Sequence, residues 1–311
     1  MTVTKPLASE PSLARGSLVK TGSSDSIDRL TLSGLAASKD SLWASRPGLG
    51  VYRFDEELRD EVLMDEEGAL VFGHSVLRYS DGMLFSLATK FSDERNNDGD
   101  RELAPVLTKI DHVTGKEEEI RTFDTKVVGG YLDFDEDVAA VLLGRSLFVV
   151  DLGSDSLSLR TEIEGTGIAV EISDTDVWVS TTGGLLRYNR SDLALVEALP
   201  ELGDARVVSV RDRAWAWHSG SLVEISDPDR GSIDVEPTTD QLLGLDAVED
   251  RIWIMTPTDV ILVGAERGVV IARAELGGTN FFGLFAATAN TIWVENGGEL
   301  LIDRYEIIAE S

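Results

Sequence analysis

The chain contains no cysteine, so disulfides and thiolate metal sites are excluded and the fold must hold by packing and hydrogen bonding alone. Histidine is nearly as scarce. Only three occur, at 74, 112 and 218, and no two have the spacing of metal ligands. Each lies in or beside a turn signal (Phe72-Gly73-His74-Ser75, Ile110-Asp111-His112-Val113, Trp217-His218-Ser219-Gly220), where a solvated residue is expected. Long apolar runs are missing too. The longest, Val138 to Leu143, is too short to span a bilayer, and Met1 to Lys20 holds no stretch of signal-peptide length, so a cytoplasmic protein is expected. Positive charge is the fourth shortage. Lys and Arg total 28 against 56 Asp and Glu, a net charge of −28 that repels phosphate backbones and anionic headgroups. Neither nucleic acid nor membrane is therefore expected as a partner, whereas basic partners and cations fit. A serine triad, a P-loop and a dinucleotide fingerprint are all absent.

What is present is a repeat. Hydrophobic content is 42% in 311 residues, enough for a large core. Five of the six tryptophans stand in one setting, a polar turn, one apolar residue, then Trp: Ser41-Leu42-Trp43, Asp176-Val177-Trp178, Arg213-Ala214-Trp215, Arg251-Ile252-Trp253 and Thr291-Ile292-Trp293. The last four are separated by 37, 38 and 40 residues. The longer interval between Trp43 and Trp178 has room for two units whose Trp is replaced, and Leu84 and Ala140 fit those places. Each unit reads as four short strands. In the fourth these are Gly167 to Ile172, Val177 to Ser180, Leu185 to Asn189 and Leu193 to Leu199, separated by Gly, Asp, Asn, Thr and Ser. No segment has a convincing period of 3.6, so helices should be few. Many strands are apolar on both alternations, as expected of sheets sandwiched between neighbours. The reading is all-β: a seven-bladed β-propeller of four-stranded antiparallel blades, with each Trp as a spacer between blades.

The segments Ile110-Asp111-His112-Val113-Thr114-Gly115-Lys116 and Leu186-Arg187-Tyr188-Asn189 resemble repeats of the broad YVTN/quinoprotein-like propeller class. Asn290-Thr291-Ile292-Trp293-Val294, followed by Gly297-Gly298, also resembles virginiamycin B lyase-like repeats. The resemblance runs from about Gly34 to Ile308 and implies architecture; the same repeats, like those of WD40 propellers, serve enzymes, sensors and scaffolds. Residues 1–27 are expected to form a loose arm and 28–311 a single propeller domain. The stretch Glu299 to Ile308 has no turn residue, so it reads as one long strand or a tightly joined pair; if it is one strand, an N-terminal segment such as Asp28 to Leu32 would complete the last blade.

Two constellations carry chemistry. An acidic insertion in the second unit places Glu94, Asn96, Asp98 and Asp100 around Gly99 in rough imitation of a calcium loop, although Pro105 stands where a bidentate Glu is needed. Asp133, Glu171 and Asp246 share an offset of seven before the Trp position and would face the central channel. There they could hold Ca or Mg, as in propeller lactonases; the other units place Ala36, Leu77, Val208 and Ala286 at that offset. The expected function is non-enzymatic: a monomeric disc that binds a protein or small molecule through one face or its central mouth, with no cofactor. The competing class is a metal-dependent hydrolase or lyase with an acidic channel.

Overall fold

The turn-punctuated runs of β-branched and aromatic residues fold as antiparallel hairpins, and seven four-stranded sheets form the blades of a propeller. The computed structural model of the chain describes residues 16–24, 32–46, 50–55, 58, 61–64, 74–80, 82–95, 101–127, 129–135, 137–153, 157–211, 213–226, 232–235, 239, 241–276, 283–296 and 301–309. Blade 4 follows its sequence grammar closely, with strands Gly167–Ile172, Asp176–Thr181, Gly184–Asn189 and Leu195–Leu199. Its Gly184 has φ +136°, and a Cβ there would lie 2.7 Å from Pro200 Cα, so the turn admits glycine alone. The only helical segment among the described residues is the 3-10 turn Pro200–Leu202. No helix among them is long and apolar enough to cross a membrane.

The second strand of each blade carries the contact that spaces the ring. Trp43, Trp178, Trp215, Trp253 and Trp293 are all buried and all face the following blade. Trp178 packs on Val207, Ala214 and Ala216 of blade 5. Trp215 meets Ile252 and Ile254 of blade 6, Trp253 meets Ile292 and Val294 of blade 7, and Trp293 meets Leu35 and Leu42 of blade 1. Ala140 holds the same place in blade 3, against Val170 and Val177 of blade 4.

Blade 2 departs from the expected register. Leu84 faces backward, onto Trp43 of blade 1, while Phe85 faces forward onto Leu132, Ala139 and Val141 of blade 3. The first hairpin has the same length as in the other blades, with the forward-facing pair seven residues apart in all seven; Phe85, not Leu84, is the third residue after the turn, the place that Trp43 holds in blade 1. Ser80 pairs with Met83 around two residues, and Gly82 supplies the φ of +81° that the turn needs. Counting seven residues back from Leu84 therefore selects the wrong strand face, since one residue of slip reverses every side chain. The forward-facing pair in blade 2 is Arg78 with Phe85, not Leu77 with Leu84.

The insertion in blade 2 is mostly strand. Its second and third strands run to Arg95 and from Arg101 (Met83–Arg95 and Arg101–Asp111), so Glu94 belongs to an extended hairpin. The side chain of Glu94, and Asn96, Asp98 and Asp100 altogether, lie outside the described residues.

Ring closure joins the two ends of the chain. Leu301–Ala309 is indeed one strand, and blade 7 is completed by Gly16–Ser23, paired antiparallel from Gly16 opposite Ala309 to Ser23 opposite Asp303. The completing strand thus lies upstream of the expected Asp28–Leu32 segment, and residues 25–31 are outside the described set. The propeller accordingly includes Gly16–Ser23, a part of the segment expected to be a loose arm. An outer strand needs little apolar content: Leu18 alone is buried, in the core between blades 6 and 7. Polar anchoring does the rest. The buried Asp303 carboxylate takes Lys20 Nζ at 2.8 Å, Ser23 Oγ at 2.8 Å and Asn296 Nδ2 at 3.2 Å. Ser24 bonds Ile302 through both its backbone N–H and its hydroxyl oxygen, at 2.9 Å each.

Replacing Asp303 with Ala removes a buried acceptor of charge-assisted bonds and should cost about 2 kcal/mol in urea unfolding. Deleting residues 1–23 should lower the unfolding midpoint further, because it also strips the edge of blade 7.

Candidate functional site

The inner edges of the seven first strands line the central channel. Register fixes which residues share a level. The residues paired with the forward-facing position are Ala36 with Trp43, Arg78 with Phe85, Asp133 with Ala140, Glu171 with Trp178, Val208 with Trp215, Asp246 with Trp253 and Ala286 with Trp293. Three ring members are the carboxylates singled out from the sequence, and their charges act on one another across the channel. The fourth charged member, Arg78, is missed by the sequence reading, because Leu84 rather than its neighbour Phe85 is taken there as the counterpart of Trp in blade 2. The signal that could have found it is the Asp81-Gly82 pair, a two-residue turn in its own right.

Two carboxylates stitch blades together. Asp133 Oδ2 accepts the backbone N–H of Ile172 in blade 4 at 2.8 Å, and Glu171 Oε1 accepts that of Ser209 in blade 5 at 2.5 Å. Asp246 Oδ1 accepts the N–H of its own neighbour Ala247 at 2.9 Å. Arg78 donates to the Leu77 carbonyl at 3.3 Å and forms no close ion pair among the described residues.

These groups are ringed by protein, and loss of hydration dominates their titration. Burial pushes Asp133 up to about 6, against the pull of Arg78. It pushes Glu171 well above the usual carboxylate range, with added repulsion from Asp133 and Asp246. Asp246 is raised by burial too, and Arg78 again opposes the shift.

The channel encloses a cavity of about 210 Å³. Arg78, Glu171 and Asp246 line it, and Tyr131 and Arg206 stand two residues earlier on their strands, about 7 Å along the channel. The Arg206 guanidinium lies 5.9 Å from the Tyr131 ring centre. Gly244 belongs to the same wall; a Cβ there would come within 2.2 Å of the Phe285 ring.

Other candidates fall elsewhere. His112 is not the solvated turn residue expected. Its ring packs edge-on against Trp43 and Tyr79, with centres 6.1 and 5.9 Å away. The turn around it is made by Asp111, whose Oδ1 accepts from the N–H groups of Val113 and Thr114 and from the Thr114 hydroxyl. His218 closes the hairpin between the second and third strands of blade 5, and the His74 side chain is outside the described residues. Among the described residues, no three His, Cys, Asp or Glu side chains are grouped so as to hold a metal ion. Glu295, buried where blade 7 faces blade 1, is a further group the sequence reading missed; burial pushes it up to about 7.

No family model matches the chain, and no curated protein does. Solved structures match in fold. The WD40 β-propeller domain of Doa1 is 9% identical with a TM-score of 0.69, over 94% of this chain and 97% of that one. The computationally designed Ika8 protein is 10% identical with a TM-score of 0.64, over 93% and 99%. PorZ, a bacterial surface component of the type-IX secretion system of Porphyromonas gingivalis, is 12% identical with a TM-score of 0.63, over 93% of this chain and 39% of that one. At such identities the likeness is one of fold.

A carboxyl group whose pKa is higher folded than unfolded binds its proton more tightly in the native state. Stability then falls as pH rises from the ordinary value, 3.8 for Asp133, through the raised one near 6. Glu171, Asp246 and Glu295 act with the same sign. Asp133→Asn, which keeps an acceptor for Ile172, should flatten this fall and gain on the order of 2 kcal/mol at pH 7.5 relative to pH 4, read by urea unfolding across pH.

Proposed function

We propose that the protein is a non-enzymatic binding module whose ligand enters the central channel. One observation carries this reading: a cavity with a rigid wall displays both signs of charge at one level, from Arg78, Glu171 and Asp246. Pre-formed concave sites with a few converging polar groups are where small ligands bind. The stitching bonds from Asp133 to Ile172 and from Glu171 to Ser209 fix the carboxylates before any ligand arrives. WD40 structural neighbours agree with a binding or scaffold role at the level of fold.

The competing reading, a metal-dependent hydrolase or lyase, asks the same carboxylates to converge on Ca or Mg. Arg78 weakens it. Its guanidinium acts on Asp133, Glu171 and Asp246 together, so a divalent ion would enter against a fixed positive charge.

Thermal unfolding separates the two. A binding module of this kind should show a midpoint unchanged by millimolar calcium or magnesium, whereas a resident cation site raises it through linkage. A panel of small polar molecules should contain at least one that stabilises the wild type and loses its effect in Arg78→Met. A cation-dependent rise abolished by Asp246→Asn would instead establish the metal reading.

A further inference from the structure

The distribution of charge around the ring says more about the ligand, on the premise that the channel is the binding site. Blades 2, 3, 4 and 6 contribute Arg78, Asp133, Glu171 and Asp246, while blades 5, 7 and 1 contribute Val208, Ala286 and Ala36. Val208, Ala286 and Ala36 are buried between blades, so the cavity wall itself carries Arg78, Glu171 and Asp246 on one part and Leu35 of blade 1 with Leu284 and Phe285 of blade 7 on another. Above the ring, Arg206 reaches the cavity with no hydrogen bond or ion pair among the described residues, engaged only with the Tyr131 ring. Within the ring, Glu171 and Asp246 each hold one oxygen on a backbone N–H, and their second oxygens receive no hydrogen bond from the described residues.

Donors and acceptors are thus both left open in one small space. An anion alone would meet Glu171 and Asp246, and a cation alone would meet Arg78 and Arg206. A molecule carrying both charges meets a complement for each. A volume of about 210 Å³ limits that molecule to a few heavy atoms.

We propose that the channel binds a small zwitterion, an α-amino acid with an apolar side chain. Its carboxylate is held by Arg206 from the mouth and Arg78 from the ring. Its ammonium group is held by the free oxygens of Glu171 and Asp246, and its side chain lies toward Leu35, Leu284 and Phe285.

The test is thermal unfolding of the full chain at pH 7.5 with 10 mM L-valine and, separately, its two halves: isovalerate, which lacks the ammonium group, and isobutylamine, which lacks the carboxylate. Valine should raise the midpoint by about 3 °C or more, and each half by about 1 °C or less. Arg206→Gln and Glu171→Gln, each checked for a cooperative transition without ligand, should both lose the valine response. Calorimetric titration of the wild type gives the same answer without relying on the variants. No response to valine, or equal responses to valine and either half, overturns the assignment. If a different molecule stabilises the wild type but not Arg78→Met, the binding module stands and only the amino-acid ligand falls.

Discussion

Every blade is a sheet with two apolar faces, and neither can be left in water. That constraint orders the rest of the structure. A four-stranded sheet of this composition has no stable existence by itself; it must be covered on both sides, and radial stacking lets each blade cover the next. The forward-facing residue of the second strand sets the spacing. Trp fills the position in blades 1, 4, 5, 6 and 7, Phe85 in blade 2 and Ala140 in blade 3. Only blade 7, where the chain must close on itself, needs a separate device, and there one buried aspartate with three polar partners fastens a strand from the other end of the chain.

The architecture was legible because it repeats. A tryptophan every 37 to 40 residues, flanked by turns, is visible without any three-dimensional information, and blade 4 matches its reading within two residues at each strand end. What escaped was register and closure. The sequence pattern of blade 2 offers Leu84 and Phe85 as equally apolar candidates, and only the position of the turn between Ser80 and Met83, which makes Phe85 the third residue after it, decides between them. The closing strand escaped for a different reason. Its burial rests on Leu18 alone, so Gly16–Ser23 looks like any polar segment until its partner is known.

The candidate site was legible in part for the same cause. Asp133, Glu171 and Asp246 could be placed on one level because the blades share one hairpin length and the repeat identifies the forward-facing residues Ala140, Trp178 and Trp253. Arg78 obeys the same offset from Phe85 and escapes only because Leu84 is counted in its place. Its presence changes the chemistry of the channel from an acidic ring to a mixed one, and it tempers the repulsion among three carboxylates that burial already disfavours as ions. Two of those carboxylates also satisfy inner-strand N–H groups that have no further strand to pair with, so the site and the inter-blade packing use the same atoms.

The central claim is that the seven first strands bring Arg78, Asp133, Glu171 and Asp246 into one interacting ring. Carbon-detected NMR titration of the side-chain carboxyls measures this directly. The account predicts that Asp133, Glu171 and Asp246 all titrate above their ordinary values, and that Arg78→Met moves the three upward together. Ordinary midpoints for all three, indifferent to the loss of Arg78, would contradict it.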